Sequence, residues 1–528
     1  MKINLKKAGL AIAAAAALLL TSCSPGGGSA SDDDTFVVVL GANPAHLNPV
    51  LSSDDAVQIP GQALFEPLVT VDGAGKLVPM LATKWEANAD DTQFTITLRD
   101  DVKWHDGEKF SSKDVKFVFD ELLELSSIGA AVLENVASVE TPDATTVVVK
   151  MKNPFGPLME SLTNTSIMPA HVFQGRGDFK ANAATLNPIG TGPYMFVSFK
   201  SGESVVVEKN DDWWGGEVAV KRVVFQVIPD MSARVFALQN GDVDHVPASF
   251  LDISELDKLK ADSRIHLFTP PGNTQNIVLF YNTREGLSAN YDLRVALYHA
   301  IDRAAIVKNV FLDTATIPDS IVPNDFPWGI ASTSKFSEQF KYDPKLAGEL
   351  LDKAGYPMKG NERFSIRLNL DNAFPLLIRS AEVVKANLEA VGIKVDMQVQ
   401  ETSLAEATIY QNHDFDLAMD MLGVIVDPMQ GMPRIYVCNP NNTSYANPTG
   451  TCDAKFDGLV FAGAQSSDRT DRQAAYGQAD RELADRLLHV APLINAPSYG
   501  ASTDLRWSGV EGLNANSKYD WTALKRAD

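Results

Sequence analysis

Histidine and carboxylate side chains are the groups of this chain whose types and spacing could do chemistry. The eight histidines, at positions 46, 105, 171, 245, 266, 299, 413 and 489, include no pair at i, i+2 or i, i+4 spacing. That scatter is unfavourable for a preformed metal site. The acidic pairs Asp54–Asp55 and Asp242–Asp244 could act as catalytic carboxylates, but such pairs are commoner in turns and at solvated edges.

Sequence motifs for catalysis or nucleotide binding are absent. The chain has no G-x-S-x-G elbow, no H-E-x-x-H and no G-x-x-x-x-G-K-[ST] phosphate loop. The segment Gly190-Thr191-Gly192 lacks the third glycine of a dinucleotide fingerprint, and Pro193 blocks entry into a helix there. We therefore predict a protein that is not an enzyme and that has no catalytic residue, no metal site and no cofactor.

The N-terminus is typical of an exported protein. Lys2, Lys6 and Lys7 precede an apolar run over residues 8–20, which is shorter than the roughly 20 residues of a membrane-spanning helix. The segment Leu20-Thr21-Ser22-Cys23 resembles the bacterial lipobox, in which the cysteine thiol is lipidated before cleavage. We expect a signal peptide over residues 1–22, with Cys23 as the lipidation site. The alternative is an ordinary signal peptide with a bystander cysteine.

The composition fits a multidomain body in an oxidising compartment. The chain has 528 residues, so two or three domains are expected. A net charge of −21 should repel nucleic acid and anionic lipid, leaving covalent lipid as the only membrane attachment. Cys438 and Cys452 are then the remaining pair, and a disulfide there would stabilise the fold by about 3 kcal/mol in the chain-entropy model.

The order of predicted strands and helices indicates an α/β protein. A polar Gly-Ser-Asp tether covers residues 23–35, and the apolar run 36–40 predicts the first buried strand. Alternating segments predict further strands at 94–99, 145–151, 204–208 and 222–227. The second half alternates between strands and helices, with helices over 293–310, 344–354, 381–391 and 472–488 and strands over 364–370 and 393–399. That alternation favours a partly parallel sheet.

Several short motifs, taken as an ordered set, resemble the peptide- and nickel-type extracellular solute-binding proteins of ABC transporters, family 5. The matching segments are 77–85, 94–110, 190–194, 209–216, 237–244, 294–303, 342–344 and 354–357. Each segment alone is weak, and the aromatic residues within them, Trp104, Tyr194, Trp213 and Trp214, fit core and turn positions.

The resemblance implies a two-lobed periplasmic-binding-protein-like fold of class II, large cluster C, with a ligand cleft between the lobes. Lobe I would comprise residues 36–60, 186–272 and 496–528; the inserted subdomain, 61–185; and lobe II, 273–495. Closure of the lobes around a ligand would let a membrane permease distinguish loaded from empty protein. The implied partners are a peptide or other small solute and the permease and ATPase subunits of an ABC importer. We expect a monomer on the extracytoplasmic face of the cell membrane.

The resemblance also implies ligand-binding residues near Gly423. Peptide-binding relatives carry Gly-Trp-x-x-Asp where this chain has Gly423, Val424 and Asp427, and that aspartate holds the peptide α-ammonium. The alternative is that Asp427 only starts the turn at Pro428. Val424 removes the aromatic surface, and Asp371 stands where dipeptide-binding relatives place an arginine for the ligand carboxylate. The ligand is thus either a longer peptide held by its backbone or a different, cationic solute.

Further candidates for lining the cleft come from three segments, with ordinary loop positions as the alternative for each. They are Ser53, Asp54 and Asp55 from the first lobe; Asn273, Gln275 and Asn276 just past the expected hinge; and Arg434 and Tyr436 beside the predicted disulfide.

These observations predict the binding component of a peptide importer. The alternatives are the same role for a metal chelate, an opine or an oligosaccharide, a receptor that presents its ligand to a signalling partner, and, from another class, a secreted hydrolase, which no motif supports.

Overall fold

The structure is a computed structural model, and it describes residues 34–527 except 53, 74, 126–128, 130–131, 176–178, 180–181, 271–272, 426 and 514–517. The predicted signal peptide, Cys23 and Ser53 therefore lie outside the described residues. Within the described part, no helix combines the length and the apolar character needed to cross a membrane.

The first large sheet has seven strands in the order β12-β18-β11-β1-β10-β9-β8. Its strands are β1 (Thr35–Leu40), β8 (Tyr194–Lys200), β9 (Ser204–Lys209), β10 (Arg222–Val227), β11 (His245–Val246), β12 (Ile265–Phe268) and β18 (Gly500–Thr503). The central strand β1 pairs in parallel with β10 and β11, and all six of its residues are buried. A strand covered on both faces needs the continuous apolar run that predicted it.

The second sheet belongs to the segment predicted as the inserted subdomain. Four antiparallel strands run in the order β4-β5-β7-β6: β4 (Ala82–Ala87), β5 (Gln93–Leu98), β6 (Val136–Asp143) and β7 (Thr146–Met151). Strands β2 (Val69–Val71) and β3 (Leu77–Pro79) form a separate hairpin, and β19 (Trp507–Ser508) pairs with β20 (Lys525–Arg526).

The third sheet has five strands in the order β15-β14-β16-β13-β17. They are β13 (Asn273–Tyr281), β14 (Phe364–Asp371), β15 (Ile393–Gln400), β16 (Leu417–Ile425) and β17 (Val490–Pro497). Strand β14 pairs in parallel with both β15 and β16, while β13 pairs antiparallel with β16 and β17. This confirms the partly parallel sheet expected for the second half of the chain.

The chain crosses between the seven-stranded and five-stranded sheets twice, once between β12 and β13 and once between β17 and β18. Two short crossings between two separately packed cores suit a hinge. The exact limits of lobe I, the inserted subdomain and lobe II stay predictions.

Helices cover the sheets and connect their strands. They are α1 (Asp55–Leu64), α2 (Ser112–Phe117), α3 (Leu158–Ser161), α4 (Ala170–Phe173), α5 (Met231–Asn240), α6 (Leu256–Lys260), α7 (Tyr291–Ala300), α8 (Arg303–Val310), α9 (Phe336–Gln339), α10 (Pro344–Lys353), α11 (Pro375–Ala390), α12 (Thr402–Glu406), α13 (Met432–Tyr436), α14 (Ala454–Ala462) and α15 (Arg469–Glu482).

The single helix predicted over residues 293–310 is wrong, because the structure has two helices there. Ile301 is extended, with φ −92° and ψ 117°, and closes α7. Asp302 then caps α8 by accepting a hydrogen bond from the backbone N–H of Ala305, at 2.9 Å. A capping aspartate in mid-segment satisfies the free N–H groups of a new helix, and apolar periodicity alone does not show it.

Candidate functional site

A cavity of about 120 Å³ lies where the two crossings meet. Its walls include Leu251 and Ile253, from the segment predicted as lobe I, and Gln275, Phe311 and Met421, from the segment predicted as lobe II. Gln275 is thus one predicted lining residue that the structure places at a cavity between the lobes. The wall combines apolar side chains with the amide of Gln275, the carboxylate of Asp252 and the hydroxyls of Ser498 and Tyr499. Apolar walls with a few polar groups are typical of small-molecule sites.

The predicted ammonium-binding residue, Asp427, already has a cationic partner inside lobe II. Arg472, on α15, donates a hydrogen bond of 2.6 Å to Asp427 Oδ1, and the two side chains are 2% and 1% exposed. Burial by itself lowers the pKa of the Arg472 guanidinium, but the charges and hydrogen bonds of Asp427 and Tyr476 together outweigh burial, so the pKa is raised. Asp427 also caps a short 3₁₀ helix by accepting from the N–H of Met429 at 2.9 Å.

A second carboxylate approaches this pair from the inserted subdomain. Glu160, on α3, has its pKa raised to about 7, first by burial and then by the negative charge of Asp427. Arg472 and Arg469 act in the opposite direction on Glu160. The backbone carbonyl of Glu160 also accepts a hydrogen bond of 3.2 Å from Gln430 Nε2. The segment after β16 therefore meets the subdomain across the cleft.

Three further hydrogen bonds join the subdomain to the first residue of α15 and to the loop that precedes this helix. The N–H of Gly156 donates to the carbonyl of Ala464 at 2.7 Å. The N–H of Ser467 donates to Asp91 Oδ2 at 2.9 Å, and Arg469 donates to the carbonyl of Gly75 at 2.7 Å. We call this set of contacts, with Glu160 and Gln430, the cross-lobe contact.

Asp371, the predicted residue that stands where dipeptide-binding relatives have an arginine, ends strand β14. Its Oδ1 accepts from the N–H of Ala373 at 2.8 Å and from Thr402 Oγ1 at 2.9 Å. The side chain is buried near Asp420, whose pKa is raised first by burial and also by the charge of Asp371. Asp371 and Asp427 thus lie in lobe II in different surroundings, since Asp427 has a buried arginine against it.

The residues predicted in the first lobe lie at the start of α1. Asp54 caps this helix, since its Oδ1 accepts from the N–H of Ala56 at 2.9 Å. Asp55 is solvent-exposed, yet the surrounding protein raises the pKa of its carboxyl by desolvation, and Asp54 adds to the effect. Exposure together with desolvation suits a carboxylate at the wall of a cleft.

The remaining predicted residues take mixed positions. Asn276 is buried between strands, donating to the carbonyl of Leu422 at 3.1 Å and accepting from Asn495 at 2.6 Å. Tyr436 and Val424 are buried in the core of lobe II. Arg434 is exposed and donates to the carbonyl of Gly423 at 3.2 Å. Only the backbone of Asn273 is described, as the first residue of β13.

Cys438 and Cys452 form a disulfide in the structure, with their Cα atoms 4.5 Å apart. The bond closes a loop between α13 and α14 that carries Tyr445. In the parts of the chain that are described, no group of three or more histidine, cysteine or acidic residues could hold a metal ion.

A histidine–serine contact in lobe I bears on the hydrolase alternative. His245 Nδ1 lies 2.8 Å from Ser502 Oγ, but both side chains are fully buried. Burial lowers the pKa of His245 to about 3, which disfavours its protonated form. A nucleophile needs access to substrate, so this contact is suited to packing.

Comparison with known proteins decides the family. Residues 76–444 match bacterial extracellular solute-binding proteins, family 5, middle region. The chain belongs to family 5 of the bacterial extracellular solute-binding proteins.

Individual relatives of this family 5 protein differ in what they bind. A Brucella ovis protein, named as an ABC transporter peptide-binding protein, is 31% identical over 360 residues, which are 66% of this chain and 65% of that protein. The chain thus matches slightly less than two thirds of this relative's length. The dipeptide-binding protein of Escherichia coli is 26% identical over 84% of this chain and 86% of its own. NikA from Brucella suis, solved with Fe(III)-EDTA, aligns with a TM-score of 0.80 at 25% identity, covering 93% of this chain and 100% of NikA.

The alignment with NikA supports the two-lobed α/β fold over nearly the whole family 5 protein. Sequence reasoning missed Arg472, the partner of Asp427, and it missed Glu160 and Gln430 of the cross-lobe contact. Only the i, i+4 spacing of Arg472 and Tyr476 on a predicted helix hinted at a paired arginine. Their meeting with Asp427 depends on packing between distant segments.

Proposed function

We propose that this chain is the solute-binding component of an ABC importer and that it captures peptides between its two lobes. The observation that carries the proposal is the cavity at the two crossings, whose walls come from both lobes. A ligand there contacts both lobes at once, so binding favours the closed form over the open one. A permease can distinguish the closed form from the open form by this difference in shape.

Peptides are the favoured solute class because the cavity combines apolar walls with an amide, a carboxylate from Asp252 and the hydroxyls of Ser498 and Tyr499. Phe311, Leu376 and Met421 offer apolar contacts for side chains, while Gln275 supplies one donor and one acceptor for a peptide backbone. Recognition through the backbone tolerates varied sequences, which suits a carrier of oligopeptides.

A non-peptide solute is the second candidate, and the Arg472–Asp427 ion pair is the observation that favours it. The positive charge of Arg472 already satisfies the carboxylate that would otherwise hold a peptide α-ammonium. A metal chelate, opine or oligosaccharide needs no such carboxylate.

The cellular context completes the proposal. Cys23 would carry lipid and hold the protein at the extracytoplasmic face of the membrane, with residues 23–35 as a tether. The acidic body would stay off the lipid surface, so that a monomer meets the permease and ATPase subunits of its importer.

Native mass spectrometry of freshly purified protein tests the proposal, because a closed cleft retains its ligand. We expect an added mass that partial unfolding and refolding removes. Titration of the stripped protein with a mixed oligopeptide library should then give heat and raise the melting temperature, since a ligand stabilises the native state by RT ln(1 + [L]/Kd).

The outcomes separate the two candidates. Peptides that bind equally well with free and acetylated N-termini support recognition through the backbone. No heat and no thermal shift with any peptide, together with a retained non-peptide mass, would reject peptides and favour the second candidate. Peptide cleavage by the pure protein would contradict both.

A further inference from the structure

Two parallel strands of lobe II end side by side in polar residues. Asp371 is the last residue of β14 and Gln400 the last of β15, and the strand register pairs them. The carboxyl ends of parallel strands form the edge at which open α/β sheets bind ligands. The cavity wall adjoins this edge, because it includes Leu376, at the start of α11, and Met421, which follows Asp420 on β16.

Hydrogen-bond acceptors at this edge lack donors. The side chain of Asn369 is 2% exposed and lies on the same face of β14 as Asp371, about 7 Å along the strand. Among the described residues, neither Asn369 Oδ1 nor Gln400 Oε1 has a hydrogen-bond partner, although both atoms are buried. A buried acceptor without a donor is costly unless a ligand or water supplies one.

Two more carboxylates add negative charge to the same region. Asp420, on β16, accepts a short hydrogen bond from the Tyr410 hydroxyl and is 5% exposed. Tyr445 lies 5.2 Å from Tyr410 between ring centroids. Burial raises the pKa of the Tyr445 hydroxyl, and the charges of Glu406, Asp371 and Asp420 raise it further. Tyr445 therefore lies beside the hydrogen-bonded pair of Tyr410 and Asp420.

One described cation reaches part of this cluster. Arg434 lowers the pKa of Asp420 and of Tyr410 by its charge, but its guanidinium donates to the carbonyl of Gly423 and its side chain is exposed. The region holds three carboxylates, those of Asp371, Asp420 and Glu406, and one guanidinium, that of Arg434. Negative charge is therefore in excess beside the rings of Tyr410 and Tyr445. Carboxylates next to tyrosine faces are the surroundings that stabilise an organic cation.

We propose that four residues form a subsite for a cationic group of the ligand, an ammonium or a guanidinium. They contribute the carboxylate of Asp371, the side-chain amide oxygens of Asn369 and Gln400, and the ring of Tyr445. An ammonium brings three donors and a guanidinium five, which supplies the unpartnered acceptors. A carboxylate of the ligand would be repelled here. The inference rests on the proposed function, because it requires a solute in the cleft, and it assigns that solute a basic side chain.

Calorimetric titration with matched peptides tests the subsite. The ligands are tetrapeptides that carry one lysine at each position in turn, each compared with the same peptide bearing Nε-acetyl-lysine. We expect the free lysine to bind about tenfold to a hundredfold more tightly at one position. In Asp371→Asn that preference should fall to about twofold or less, while affinity for the acetylated peptide is retained.

The matched control is Asp396→Asn, which changes an exposed carboxylate on β15 and should keep the preference. Tyr445→Leu removes the aromatic ring without touching the strand edge and should reduce the preference in part. Melting temperatures of all three variants show whether they fold. Equal binding of free and acetylated lysine at every position, or a preference that survives Asp371→Asn, overturns the subsite.

The proposed function can fail separately. If no tetrapeptide binds, the peptide assignment is rejected, and agmatine and spermidine then decide the subsite. Binding of either amine that Asp371→Asn abolishes supports the subsite with a non-peptide solute. No binding of either amine overturns it.

Discussion

Arg472 donates a 2.6 Å hydrogen bond to Asp427 in a part of lobe II where neither side chain exceeds 2% exposure. Arg472 also donates to the carbonyl of Gly463 at 2.6 Å, and its guanidinium lies 4.7 Å from the ring centroid of Trp328. A charge buried this deeply depends on its partner, because each ion has lost its water. The pair therefore holds the segment that follows β16 against α15.

The first prediction concerns a variant that lacks one member of this pair. Arg472→Met leaves Asp427 buried without a counter-ion and close to Glu160, so the free energy of unfolding should fall by about 3–5 kcal/mol. Urea denaturation at neutral pH measures the change. The double variant Arg472→Met, Asp427→Leu should recover much of the loss, since no uncompensated charge remains.

An exposed ion pair provides the control for that prediction. Lys345 and Glu349 lie 3.9 Å apart on α10 with mostly exposed side chains, so Lys345→Met should leave stability unchanged. If Arg472→Met is as stable as the parent, the buried pair does not hold lobe II together, and Asp427 becomes available to a ligand ammonium as the sequence predicts.

The second prediction concerns pH and Glu160. Its pKa is raised to about 7 in this structure, where the cross-lobe contact is made, and we expect the ordinary value, 4.5, when the lobes separate and water reaches the carboxyl. The closed form then binds the proton more tightly than the open form. Raising the pH from about 5 to about 8 ionises Glu160 against burial and Asp427, so closure and ligand affinity should weaken by up to about seventyfold.

Calorimetric affinities across that pH range provide the measurement. Glu160→Gln should bind as tightly at the upper end as the parent does at the lower end, with its pH dependence largely removed. Glu124→Gln changes an exposed carboxyl in the same subdomain and should keep the parent's pH profile. An unchanged profile in Glu160→Gln would assign the pH dependence to other groups, such as Asp480, whose pKa burial raises to about 6.

The third prediction concerns the disulfide. The bond joins residues 14 apart, so replacing both Cys438 and Cys452 by alanine should lower the free energy of unfolding by about 3 kcal/mol. Because the closed loop carries Tyr445, the variant should also lose part of any preference for cationic ligands. Guanidinium denaturation and calorimetry measure the two effects.

Reductant provides the control for the disulfide. It should lower the stability of the parent to that of the variant and leave the variant unchanged. A parent that is insensitive to reductant would show that its thiols are already reduced, and equal stability of parent and variant would show that the other contacts of the loop suffice.

The regular elements could be predicted well from the sequence, and the site only in part. Strand β10 was predicted with its observed limits, because alternation of apolar residues depends only on local sequence. The break between α7 and α8 was not predicted, because the periodic spacing of apolar residues continues across it. The break depends on one side chain, Asp302, which caps the second helix. Local patterns therefore give elements more reliably than their ends.

The site depends on contacts between residues far apart in the chain. Asp427 stood out by its motif, but its partner Arg472 is 45 residues away, and Glu160 is in another predicted domain. Asp371 and Gln400 were more accessible to reasoning, because each directly follows a predicted strand and the sheet was expected to be partly parallel. Asp420 and Tyr410 join them only through the crossover from β15 to β16.

The fourth prediction uses the backbone of the cross-lobe contact. A Cβ atom on Gly156 would lie 2.0 Å from the carbonyl oxygen of Ser466 and 2.4 Å from the nitrogen of Ser467. The hydrogen bond from Gly156 to Ala464 fixes both backbones, so neither can move aside cheaply. Gly156→Ala should therefore block closure and weaken ligand binding by more than about tenfold, while the open form relieves the clash and keeps its stability.

Calorimetry gives the affinity of this variant, and small-angle scattering with and without saturating peptide gives the compaction. Gly458→Ala is the matched control, because a Cβ on this helical glycine meets nothing within 4 Å, so binding and compaction should match the parent. A Gly156→Ala protein that loses stability without ligand would show that the subdomain and lobe II form one rigid unit. If it instead binds and compacts like the parent, the lobes close without this contact, and Glu160 would not control closure.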